Sequence, residues 1–250
     1  MVSVSTINFL AIYFIMFMIL SIIGYFVEII DCAIERGVFT FSRGFLIGPY
    51  IPIYGVGALS MYFLLSKYRD DLLVLFILSM AICSVIEYLT SFVMEKMFNL
   101  RWWDYSDRKF NINGRIFLLN SVLFGVAGVV VCSFLGPWLY DIISEWKPVL
   151  LYSIAGSLFI IFIVDFIVSN VIVTKLKHRA IEYSSADATA EVREQIVLEI
   201  KKHLALYSRV FKSFPNILRF DKRVGRINSL VIKAKDELKH LREKLRMLLL

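Results

Sequence analysis

The sequence predicts an all-α fold: a polytopic membrane helix bundle of about five spans with a cytoplasmic amphipathic helical tail. Three observations carry that prediction. Of 250 residues, 58% are hydrophobic and only 20% are charged, with mean hydropathy +0.71, which is too apolar for an ordinary soluble domain. Apolar windows of roughly 20 residues, the length that crosses a hydrocarbon core of ~30 Å, recur through the first 175 positions. The composition then changes at TKLKHR, 174–179: residues 176–250 hold 17 Lys/Arg against 9 Asp/Glu, whereas residues 1–175 hold 11 against 12. The basic excess behind the net charge of +7 therefore lies in the tail, and the chain divides into a transmembrane domain, 1–175, and a basic helical tail, 176–250.

The first window, 7–30, follows an opening without Lys or Arg and has no small-residue cleavage site, so it is read as a retained helix. The next stretch, SRGFLIGPYIPIYG at 42–55, breaks the helical pattern. Pro49 and Pro52 lack an amide proton, and Gly44, Gly48 and Gly55 tolerate positive φ, so a bent or re-entrant turn is expected. Irregular backbone at membrane depth must be covered by protein or line a watery cavity, which makes this stretch a candidate pocket with Arg43, Tyr50 and Tyr54 as its polar contacts. A loop that merely reverses the chain is the competing reading. After it, Pro52–Leu65 is either a fifth spanning helix or a re-entrant segment, and the five-span reading is preferred. The remaining windows, 72–92, 116–139 and 149–173, are long enough to span.

Lys and Arg near helix ends are retained on the cytoplasmic side, and that rule favours five spans. The loops after the first and third helices then share a side with the tail and carry Arg36, Arg43, Lys96, Arg101, Arg108, Lys109 and Arg115. The opposite side carries Lys67, Arg69 and Lys147. This places the amino terminus outside a cell membrane and the carboxyl terminus in the cytoplasm.

Glu28, Glu87 and Asp165 fall within or at the ends of apolar helices. Each costs ~2.5–3.5 kcal/mol at a helix centre on insertion scales, so a partner or polar cavity is expected, with Arg43 and Arg115 as the obvious cations. Glu28 alone has a simpler alternative, reaching the headgroups from near its helix end. The loop LRWWDYSDRKFNINGR, 100–115, lies on the same side as the proline turn. Its Trp103, Asp104, Tyr105, Asn111 and Arg115 complete the candidate ligand-binding set, although tryptophans also collect at membrane interfaces for amphipathic reasons. A short internal similarity links FVEIIDCAIERGVF, 26–39, with VIEYLTSFVMEKMF, 85–98, each followed by a loop bearing an arginine. Read as a parallel repeat, it gathers both Glu–Arg sets at one interface, though chance accounts for so short a match as readily.

Cys32, Cys83 and Cys132 have no paired spacing and are read as packing residues. His178, His203 and His240 are scattered along the tail, so neither a metal nor another cofactor is expected. In the tail, Val192, Ile196, Ile200, Leu204, Tyr207 and Phe211 form one helical stripe. After Pro215, Val231, Ala234, Leu238, Leu241, Leu245 and Leu248 repeat like a coiled-coil seam. That seam suits packing within the tail or homo-oligomerisation, and its basic residues suit an anionic inner leaflet. Membrane lipids are the expected partners; nucleic acid is not.

Several motifs together resemble a family of small bacterial membrane proteins, the ABC-transporter type IV, CmpB-like group, with a related eukaryotic transmembrane family. They are Gly24-Tyr25-x-x-Glu28, the RGFLxGPxxPIYG turn of 43–55, Glu87-Tyr88, and WWDYSxxxFNxxGR of 102–115. The resemblance covers about residues 7–140 and excludes the tail. It implies a permease-like protein and points to the residues above as the site. The sequence has no Walker A run, so an ATPase would be a separate subunit. Two functions stay open: a transporter binding a polar or anionic ligand at the Glu/Arg/aromatic site, and an intramembrane enzyme acting on a lipid or isoprenoid headgroup. A scaffold or receptor role for the tail is a third.

Overall fold

The computed structural model describes residues 4–36, 44–98 and 102–184. Arg43 and almost all of the tail, with both of its predicted stripes, lie outside the described residues. The elements are α1 (Val4–Arg36), α2 (Pro52–Leu65), α3 (Leu72–Phe98), a two-stranded hairpin β1 (Asn111–Ile112) and β2 (Ile116–Phe117), α4 (Leu118–Val130), α5 (Gly136–Ser144) and α6 (Pro148–Ser184). A π-helical turn, Val131–Leu135, joins α4 to α5 without a break. Pro137 follows directly; it has no N–H to offer the preceding turn, and a widened turn absorbs that missing bond.

Four segments are long and apolar enough to cross a membrane: Ser5–Ile34, Leu72–Phe98, Leu118–Ser144 and Pro148–Lys175. The chain is thus a multi-pass membrane helix bundle, and the expected fifth spanning helix is corrected. α2 has 14 residues, so it is about 21 Å long, short of a ~30 Å core. The physical reason lies in the segment before it. Residues 44–51 are non-helical, and the Ile51 amide donates to the Ser21 carbonyl at 3.0 Å, deep along α1. α2 starts at that depth and runs antiparallel to α1, ending where Phe63 meets Phe9 and Tyr13. One half of this crossing is therefore irregular chain and the other half is helix.

Side-chain contacts fix the two ends of the bundle. At one end, Tyr13 of α1 meets Tyr62 of α2 and Tyr140 of α5, and the Tyr152 hydroxyl of α6 donates to Asn8. At the other, Phe45, Phe98, Trp102 and Phe166 form one aromatic cluster. Consequently α1, α3 and α6 run in one direction, and α2 and α4–α5 run back. The end of α1, the loop of 102–117 and the start of the tail share what we call the tail end.

The core is built around α1 and α2. Ile12, Ile15, Met16 and Leu20 pack with Ala58, Val131, Leu139, Ile143, Leu151 and Ala155. A second cluster joins Met61 and Leu65 to Leu75, Cys83 and Cys132, and a third wedges Leu46 and Tyr50 against Met18 and Phe162. Cys32, Cys83 and Cys132 are buried thiols outside any disulfide, filling space. Large apolar residues elsewhere, among them Leu73, Leu119, Phe134 and Ile160, are exposed, as a lipid-facing surface requires.

Candidate functional site

Three polar constellations occupy the tail-end half of the bundle. The first surrounds Glu87, which lies 11 residues before the end of α3, about 16 Å from it, and is only 6% exposed. Its Oε1 accepts from Asn120 Nδ2 at 2.9 Å and, at a long 3.5 Å, from the Tyr105 hydroxyl. Its Oε2 is buried without a hydrogen-bond partner among the described residues. Beside it, Tyr54 of α2 donates to Glu28 Oε2 at 2.8 Å. Glu28, Glu87, Tyr54 and Tyr105 are close enough to interact electrostatically. Burial, and then the negative charges of Glu87, Glu28 and Asp31, push the Tyr105 phenol well above the usual tyrosine range, so it stays a donor. Thus a glutamate on α1 is bonded by a residue of α2, and one on α3 by a residue of α4.

This geometry depends on close helix approach. A Cβ added at Gly24 would collide with the Tyr54 side chain, and one at Gly55 with Ser21 Oγ and the Phe17 carbonyl. Glycine at both positions lets α2 lie against α1 and delivers Tyr54 to Glu28.

The second constellation holds the irregular chain. Asp165 of α6 accepts from the Ile47 amide (2.8 Å), the Gly48 amide (2.7 Å), the Tyr50 hydroxyl (2.6 Å) and Ser169 Oγ (3.0 Å). Among the described residues Asp165 is stabilised by hydrogen-bond donors, two of them backbone amides of the non-helical stretch. Tyr50, expected in the ligand set, belongs to this latch.

The third constellation is the 102–117 loop. Asn113 and Gly114 both have positive φ, 53° and 62°, and the Arg115 amide closes onto the Ile112 carbonyl at 3.0 Å, a two-residue hairpin of Asn-Gly type. The sequence offers Arg115 as a cation for Glu28, Glu87 or Asp165. Instead its guanidinium pairs with Glu95 at 2.8 Å, donates to Ser91 Oγ at 3.0 Å and lies over Tyr88 and Phe92. Glu95 sits two helical turns beyond Glu87, level with the hairpin, and so intercepts the arginine. Three other predicted residues organise the loop. Trp103 Nε1 donates to the Arg115 carbonyl at 2.9 Å, Asp104 accepts from the Ser106 amide and hydroxyl, and Asn111 bridges the Arg108 carbonyl and the Gly114 amide.

Of the ten predicted site residues, the structure therefore brings Glu28, Tyr54, Glu87 and Tyr105 together. Tyr50 goes to the latch, and Trp103, Asp104, Asn111 and Arg115 go to the loop scaffold. Arg43 lies outside the described residues. Asn120 was missed, although a carboxamide inside the apolar window 116–139 carried the same signal as Glu87: a polar group at membrane depth that needs a partner.

The fold and the site define a multi-pass membrane helix bundle with one buried glutamate, Glu87, beside a second, partly buried one, Glu28. The particular family follows from comparison: a family model described as "Putative ABC-transporter type IV" matches residues 15–170, and the chain belongs to that family. No curated protein and no solved structure matches it.

Proposed function

We propose that this chain is a permease-like membrane subunit that binds a polar ligand at the Glu28–Tyr54–Glu87–Tyr105–Asn120 cluster, with any driving ATPase on a separate chain. Family membership supports the transporter-like class. The observation that carries the ligand site is the buried Glu87 Oε2, an acceptor without a hydrogen-bond partner among the described residues, beside a second glutamate. Such a group is costly unless a donor completes it. Within the larger class of polar and anionic ligands, the cluster favours one presenting hydrogen-bond donors or positive charge. Its described members are two carboxyl groups, two hydroxyls and one carboxamide, the hydroxyls and the carboxamide already donate to the carboxyl groups, and the nearby arginine is committed to Glu95.

The test is mass spectrometry of small molecules retained by the full chain after mild detergent extraction, comparing wild type with Glu87→Gln and Glu28→Gln. An amine or polyol carried by wild type and reduced at least about tenfold in either variant, a loss of ~1.4 kcal/mol, is the expected outcome. Retention of the same molecule by both variants would sink the site.

A further inference from the structure

Where the 102–117 loop meets α4, a surface groove of about 340 Å³ opens between Arg108, Lys109, Phe110, Phe117, Leu118, Leu119 and Val122. Its chemistry is split. Arg108 and Lys109 supply two cations at the loop end. Phe110, at 79% exposure, and Leu119, at 60%, supply an apolar wall that runs on along the exposed face of α4 through Leu123 and Val126. The loop is built to hold this arrangement. The Leu118 amide donates to the Phe110 carbonyl at 3.2 Å, which fixes Phe110 beside the first turn of α4, and the Arg108 guanidinium is held over the Phe117 ring, 5.9 Å from its centroid. The helix start adds to the positive potential, since no side chain caps it. Two acids lie in the same loop: Asp104, which accepts from the Ser106 amide and hydroxyl, and Asp107, next to Arg108 in the chain.

An exposed phenylalanine and leucines next to two cations, at the level where a spanning helix emerges into its loop, match one occupant in both halves: a phospholipid, with acyl chain on the wall and anionic headgroup on the cations. We propose that this groove binds an anionic phospholipid of the surrounding leaflet. A soluble anion would use the cations and leave the apolar wall uncovered, and an apolar partner helix would use the wall and strand the charges.

The experiment is native mass spectrometry of the full chain in detergent with equimolar dioleoyl phosphatidylglycerol and dioleoyl phosphatidylcholine. Wild type is compared with Lys109→Gln, Arg108→Gln/Lys109→Gln, and Lys67→Gln at the opposite end of the bundle. The bound phosphatidylglycerol-to-phosphatidylcholine ratio is expected to fall about fivefold for each groove cation removed and to stay constant in Lys67→Gln. Lys109→Gln changes one exposed side chain, so it reports even where the double variant folds poorly. An unchanged ratio in both groove variants overturns the proposal. Displacement of the lipid by inorganic phosphate at equal concentration overturns it in favour of a free-anion site. A dimer peak lost in the groove variants overturns it in favour of a second copy of the chain.

Discussion

Glu87 is a carboxyl group with one oxygen hydrogen-bonded and the other buried without a hydrogen-bond partner among the described residues. Removing its partner should hurt more than replacing the acid by its amide. Asn120→Leu is expected to lower thermal stability in detergent by about 1–3 kcal/mol, because it leaves a second buried carboxyl oxygen without a good donor, whereas Glu87→Gln should cost less or stabilise. Adding Glu87→Gln to Asn120→Leu should then recover part of the loss, and a double variant no better than Asn120→Leu alone would show that the two side chains are not coupled. For Arg115 and Glu95, a double-mutant cycle with Arg115→Gln and Glu95→Gln is expected to return a coupling of about 1 kcal/mol, with the matching Arg115–Glu87 cycle near zero. At this scale the sequence made the need for partners legible, since a glutamate in an apolar window is costly wherever it points. It did not reveal which partner. That choice depends on helix rotation and on the path of the 102–117 loop, which bring Asn120 to Glu87 and stop Arg115 at Glu95.

The second crossing is the element that shapes the bundle. Its irregular half is held at Ser21 by the Ile51 amide and, further along, by one carboxylate that accepts from two of its amides and from the Tyr50 hydroxyl. Hydrogen bonds to an ionised acceptor are worth about 1.5–3 kcal/mol each, so Asp165→Ala is expected to destabilise by about 3 kcal/mol or more. In that background a cysteine at position 46, where Leu46 is fully buried, should become reactive to a membrane-permeant maleimide; continued protection would mean that packing alone holds the stretch. Gly55→Ala should cost about 1–3 kcal/mol through collision with Phe17 and Ser21, measured as a lowered melting temperature. The prolines made the break in helix visible in the sequence. That α2 would start beside Ser21 rather than at the membrane edge was not, because the acceptor that makes this possible, Asp165, is more than a hundred residues away.

For the whole molecule, an odd number of crossings puts the two ends of the described chain on opposite faces of the bundle. The excess of Lys and Arg toward the tail makes a cytoplasmic tail end the expected orientation. A cysteine introduced at position 185 is expected to react with an impermeant maleimide in inverted vesicles and to resist it in intact cells; the reverse pattern would invert the topology. The latch also sets an order of events during synthesis. Translation proceeds at about 5–20 residues per second, so the amides of Ile47 and Gly48 leave the ribosome on the order of ten seconds before Asp165 does. Through that interval the half-helix has its glycine-lined berth on α1 and no acceptor for the chain that precedes it. The nascent protein must shelter those donors in water, or in the insertion machinery, until the last span arrives. Truncation just before Asp165 should therefore yield a product that cells clear far faster than one ending near Lys175, in pulse-chase measurements, though the two differ by only about three turns of helix.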